Sequence, residues 1–206
     1  MRLLPARVAT SGIFGLNGFV LGMWVVHIPV IKDRTGVEDH QLGLLLLVLG
    51  VAAWIGMQAA GPLVDRFGSR AVVVTAMVAM GLALPLPGLA QDQLGLAAAV
   101  IVLGATNGFV DVAQNAHAVQ VEQHWGHPIM SSFHAFFSAG GLVASLSGGA
   151  LLALKVGAPV ALAGGGIVTI ATALALRPLL LPPEPHHDAP TRCVRRAGRH
   201  GPAGWC

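Results

Sequence analysis

The sequence predicts an all-α membrane protein with six transmembrane helices, and three observations carry that prediction. Of its 206 residues, 54% are hydrophobic and only 10% charged, where an ordinary soluble domain carries about 25% charge. The Leu, Val, Ala and Gly residues stand in unbroken runs of about 20, the length a helix needs to cross a bilayer. The few bases sit at the ends of those runs and in the C-terminal stretch, so the net charge of +3 reflects membrane orientation and not a nucleic-acid partner. A mean hydropathy of +0.71 excludes a soluble enzyme and a disordered chain alike.

The spans fall at about 8–31, 41–60, 71–90, 95–117, 129–154 and 158–177. A charged loop from Lys32 to His40 divides the first two, and Asp65-Arg66-Phe67-Gly68-Ser69-Arg70 turns the second into the third. Gln91-Asp92-Gln93 and the amphiphilic Glu122 to Pro128 close the next two intervals, and a short turn at Lys155 closes the last. Pro85 and Pro87 predict a kink late in the third span. The first span is too long for a signal-peptide core and should remain in place. With both termini on the cytoplasmic side, the inner segments hold Arg2, Arg7, Arg66, Arg70, Arg177, Arg192, Arg195, Arg196 and Arg199. The outer loops then hold only Lys32, Arg34 and Lys155, which predicts a multi-pass protein of the inner membrane in that orientation.

Small residues recur at packing spacing: Ser11, Gly15, Gly18 and Gly22 in the first span, and Gly141, Ser145 and Gly149 in the fifth. Such faces let helices approach closely in lipid, although 27 glycines also produce such spacings by abundance. Residues 1–181 should form the bundle, and 182–206 a disordered basic tail. Its arginines suit anionic headgroups, or the tail is simply solvated. Cys193 and Cys206 both lie in that tail, so no disulfide or thiolate metal site holds the bundle. His124 and His127 lack a third ligand, and nothing calls for a metal or cofactor.

The fourth span carries the chemistry. At 100° per residue, Asn107, Asp111, Gln114 and Asn115 share one face about a hundred degrees wide. His117 falls off that face and near the span end, which suits an interfacial position. A mid-span carboxylate is costly in lipid, so Asp111 should face a bundle interior or water. It then carries a proton or binds substrate, with the amides as partners for hydroxyls. The alternative is a polar stripe that locks two helices together. His134, near Ser131, Ser132 and Ser138, is a further binding candidate, whereas His27 reads as a packing residue.

The stretch Gly61-Pro62-Leu63-Val64-Asp65-Arg66-Phe67-Gly68-Ser69-Arg70 resembles the signature G-x-L-x-D-R-x-G-[RK]-[RK] of the major facilitator superfamily. Residues, spacing and topological place agree, and only Ser69 departs, standing where a base is usual. The resemblance implies that Gly61, Asp65, Arg66, Gly68 and Arg70 form a conformational gate at the cytoplasmic side, with Asp65 meeting partners that include a second half. Asn107-Gly108-x-x-Asp111-Val112-Ala113-x-Asn115-Ala116, then Pro128-x-Met130-Ser131-Ser132-Phe133-His134-Ala135, is similar to the rhizopine-transporter-like branch near the fucose–proton symporters. In those symporters an acid precedes an asparagine by four residues in the fourth helix, as Asp111 precedes Asn115. His134 matches their sugar-contacting place early in the fifth helix. Their first-helix acid has its place near Val25, so their mechanism does not transfer whole. The arginine-led fourth-helix motif of drug–proton antiporters is missing too.

The resemblance covers residues 8–181 and implies one half of a major facilitator superfamily fold, since such transporters pair two six-helix halves around a central site. It implies a half or truncated transporter of a sugar-like solute, with a proton as co-substrate through Asp111. The partners are then membrane lipid, the solute, and a missing C-terminal half or a second copy. The composition after Leu181 points alternatively to a non-transporting fragment from a truncated or frame-shifted reading frame. A membrane enzyme would need a nucleophile–base or metal constellation, and the sequence offers none.

Overall fold

The computed structural model describes residues 3–182. Helix α1 spans Leu3–Thr35, α2 Asp39–Phe67, α3 Ser69–Ala83, α4 Pro85–Leu89, α5 Gln93–Trp125, α6 Met130–Ala153 and α7 Ala158–Leu176, before a 3₁₀ turn at Arg177–Leu179. With α3 and α4 counted as one span, six segments are long and apolar enough to cross a membrane, as the sequence predicts. The tail expected over 182–206 lies, but for Pro182, outside the described residues.

The helices outrun the spans read from hydropathy. At 33 residues each, α1 and α5 are about 50 Å long, against a hydrocarbon core of about 30 Å. Residues 118–125, read as the approach to a loop, continue α5 until Gly126 closes it. Gly126 adopts φ 79° and donates its N–H to the Glu122 carbonyl at 3.0 Å. The Glu122 carboxylate then accepts the N–H groups of Ile129 and Met130 at 2.6 and 2.7 Å, which fixes the start of α6.

Packing is by backbone approach. Lipid tails are as apolar as leucine, so no hydrophobic force gathers these helices and close contact must do so. Helix α1 packs on α6, α5 on α2 and α3, and α3 on α7. A Cβ on Gly18 would lie 1.9 Å from the Phe137 carbonyl oxygen, and one on Gly140 would lie 1.9 Å from that of Gly15. The α2–α5 seam repeats the device, with Gly108 against the Ala53 carbonyl at 2.0 Å and Gly56 against that of Ala105 at 2.3 Å. The small residues expected on α1 do form its seam, with Gly15, Gly18 and Gly22 at the contact. On α6 the expected stripe is corrected. The seam uses Gly140, Gly141, Ala144 and Gly148, whereas Ser145 is exposed and Gly149 meets open space.

The proline kink expected in the third span falls at Leu84, between α3 and α4, whose backbone stays helical and whose N–H still donates to the Met80 carbonyl at 3.0 Å. Pro85 has no N–H, so the Gly81 carbonyl four residues earlier loses its ladder partner. Gly166 of α7 backs onto that carbonyl, where a Cβ would stand 2.3 Å from the oxygen. The Pro87 carbonyl accepts from Arg34 Nη2 at 3.2 Å.

A single residue, Gly68, joins α2 to α3. Its φ of 80° and ψ of 149° form a backbone state in which a side chain is strained. Gly61, the first residue of the signature, lies inside α2 facing open space. Gly68→Ala is expected to cost about 1–3 kcal/mol. Gly61→Ala should move stability by under about 1 kcal/mol, in the stabilising direction. Detergent-stability midpoints of the two variants check the contrast.

Candidate functional site

Helix α5 presents the polar face at its middle. Asn107, Asp111 and Asn115 are each half-buried on one side of the helix, and Gln114 is 2% exposed beside them. Asn115 Nδ2 donates to the Asp111 backbone carbonyl at 2.8 Å and to Asp111 Oδ1 at 3.3 Å, so the i, i+4 spacing does bring these two together. The bond uses one lone-pair direction of one carboxylate oxygen, and the rest of the acceptor capacity stays available. The Oδ1 of Asn107 and the Oε1 of Gln114 are buried without a hydrogen-bond partner. A buried amide oxygen without a donor is costly unless a ligand or water supplies one.

His134 sits apart on α6. Its Nδ1 lies 3.2 Å from the Met130 carbonyl, its ring centroid lies 5.3 Å from that of Phe14 on α1, and the residue is exposed. Among the described residues no hydrogen bond joins it to Asp111, Asn107 or Asn115. Phe14 also stacks on Phe133 at 5.6 Å, so α1 supplies the wall against which the start of α6 is set. Val25, at the place of the symporters' first-helix acid, is 59% exposed on α1, leaving an accessible apolar side chain there.

Sequence reading missed Asn17. It lies in α1, is 2% exposed, and its Oδ1 too has no partner. The signal was a lone amide inside an apolar run, Leu16-Asn17-Gly18. His117, expected off that face and near the span end, is 1% exposed, with Nδ1 at 2.9 Å from Ser69 Oγ at the start of α3. His27 is the packing residue expected: it is fully buried, with Nδ1 donating to the Met23 carbonyl at 2.8 Å.

The Gly61 to Arg70 signature is spread over the end of α2 and the start of α3. Asp65 and Arg66 are exposed in the last turn of α2, with the Arg66 guanidinium 5.2 Å from the Phe67 ring centroid. Arg70 is half-buried in the first turn of α3. Beside this turn an apolar groove of about 560 Å³ opens between α2, α3 and α5, lined by Leu63, Phe67, Thr75, Thr106 and Phe109 among others. It does not reach Asp111.

Long apolar helices with a carboxylate and amides at the middle of one of them are the make-up of a polytopic transport protein. The model of the Major Facilitator Superfamily matches residues 10–199, and the chain belongs to that family, one of transporters and not of enzymes. An uncharacterized MFS-type transporter of Yersinia pestis is 37% identical over 189 residues, covering 91% of this chain and 49% of the relative. An uncharacterized transporter of Sinorhizobium fredii is 38% identical over 148 residues, 71% of this chain and 38% of the relative. The membrane protein MosC of Rhizobium meliloti is 31% identical over 138 residues, 67% of this chain and 34% of the relative. The chain thus spans half or less of the length of these relatives.

Proposed function

We propose that this chain is the N-terminal six-helix half of a secondary transporter for a small, hydroxyl-rich solute such as a sugar, with Asp111 as its proton carrier. The observation that carries the reading is the half-buried face of Asn107, Asp111 and Asn115 at the middle of α5. Its carboxylate and unpartnered amide oxygens are acceptors, which suits a ligand that brings several O–H donors. Exposed His134 on α6 is a further contact for the solute in this reading, apart from the α5 face.

Two features support a second half as the partner. The relatives are at least twice as long as the segments they share with this chain. Helices α2 and α6 are also the least covered, with 22% and 11% of their apolar windows buried against 61% for the third span. Those are faces left for lipid and for a second six-helix bundle. A second copy of this chain is the other candidate for that place.

In this reading both ends of the bundle chain lie in the cytoplasm at the inner membrane, and Asp65 gates the inner side. A cysteine placed at Asp65 should react with a membrane-impermeant thiol reagent only from the cytoplasmic side; labelling from outside overturns the orientation. The transport reading is tested in proteoliposomes holding the complete transporter under an imposed pH gradient. Labelled sugar should accumulate with the gradient and collapse with an uncoupler. No gradient-driven uptake across a panel of sugars and polyols overturns the solute and coupling assignments.

A further inference from the structure

Ser69, the one departure from the signature, is also the first residue of α3 and is 9% exposed. Its Oγ lies 2.9 Å from His117 Nδ1 and 3.3 Å from Gln120 Oε1, both on α5. Gln120 Nε2 in turn donates to the Pro182 carbonyl at 3.3 Å, where the chain leaves the bundle. A serine hydroxyl has one proton, and an amide oxygen can only accept. The Ser69 proton therefore goes to Gln120, and the contact with His117 is supplied by the imidazole N–H. This orders one line of donors from His117 to Ser69, Gln120 and Pro182. It leaves His117 Nε2 a bare acceptor in a neutral ring, and that atom is buried without a partner.

We infer that Ser69 and His117 form a clasp that ties the α2–α3 turn to α5, making them a positioning pair for Asp111. Helix α5 is unbroken over its 33 residues, and Asp111 lies six residues, about 9 Å along the axis, from His117. A shift of the turn is thus passed to the acid through a rigid element instead of being lost in a loop. The serine is the condition for this. An arginine or lysine at 69, next to Arg70 in sequence, could give no acceptor to His117 Nδ1–H and would bring a second cation against a buried ring. The residue that departs from the signature is therefore matched to this chain's own histidine. The clasp is independent of what is carried, while its consequence for Asp111 rests on the transport reading above.

The test has two arms. In the chain labelled with ¹⁵N-histidine and reconstituted in nanodiscs, His117 is assigned by its loss in His117→Gln. Its imidazole should be the neutral Nδ1-protonated tautomer, retained in Ser69→Thr and lost in Ser69→Ala. The Nε2-protonated tautomer in the parent chain, or a spectrum that Ser69→Ala leaves unmoved, overturns the clasp. In the complete transporter, Ser69→Arg restores the signature and should nevertheless lower maximal transport on the order of tenfold, with solute affinity held. Ser69→Thr should transport as the parent does. Unchanged or faster transport in Ser69→Arg, or a matching loss of binding, overturns the coupling. The tautomer arm can succeed while Asp111 proves unrelated to protons, so failure of the transport reading is told apart from failure of the clasp.

Discussion

Asp111→Asn in the complete transporter is expected to keep solute binding and exchange while losing all accumulation driven by a pH gradient. The substitution is nearly isosteric. The Asn115 Nδ2 bond at 3.3 Å to Oδ1 can pass to the new amide oxygen, so the face should keep its shape. What disappears is the only group at mid-helix on this face that can gain and lose a proton. With one proton per solute, one pH unit is worth about 1.4 kcal/mol, or about tenfold accumulation in the parent protein. The variant's ratio should fall to one. The paired measurement is counterflow exchange, which needs binding and movement but no gradient. Unchanged pH-driven uptake, or loss of exchange along with accumulation, would count against Asp111 as carrier.

The largest structural effect is expected from Gly18→Ala. Its Cβ would stand 1.9 Å from the carbonyl oxygen of Phe137, with the carbonyl carbon at 2.8 Å. Neither can move as a side chain moves, so α1 and α6 must separate along the seam that Gly140 and Gly22 share. Overpacking costs about 1–3 kcal/mol, and a clash with backbone puts this one at the upper end. The control is Gly149→Ala on the same pair of helices. Nothing stands within 4 Å of that Cβ, so it should be neutral or stabilising by up to about 1 kcal/mol. Thermal midpoints by size-exclusion recovery in detergent separate the two. A Gly18→Ala protein as stable as its parent would mean that α1 and α6 do not touch as described.

The spans were legible because lipid demands about 20 apolar residues in a row, and nothing else in this chain looks like that. Their ends were not. Hydropathy stops reporting where a helix leaves the hydrocarbon, yet α5 continues through Glu122 to Trp125. The Asp111–Asn115 pair was readable since four residues make one helical turn. The Ser69–His117 bond joins positions 48 apart, and no local period announces it. The α6 stripe was misplaced for a related reason. Gly141, Ser145 and Gly149 keep a helical spacing as well as Gly140, Ala144 and Gly148 do, and only the partner helix decides between them. Composition gave Asn17 no weight beside 27 glycines and long runs of leucine.

The kink at Pro85 bears on how the bundle comes apart. The Pro85 end of the third span is held by other helices as well as by the ladder bonds it keeps. Gly166 covers the Gly81 carbonyl, Pro159 and Leu162 pack against Gly88, and Arg34 holds the Pro87 carbonyl. A short segment of that kind has little local stability of its own and opens with whatever it leans on. Amide exchange should therefore report Leu82, Leu84, Leu86 and Leu89 as one cooperative unit with the first turns of α7. Their protection should stay below that of Val72 to Met80, where the α3 ladder is intact and Val72, Val73, Val74, Ala76, Met77 and Met80 are buried. The weakest point in the third span is set by α7, a helix more than seventy residues further along the chain.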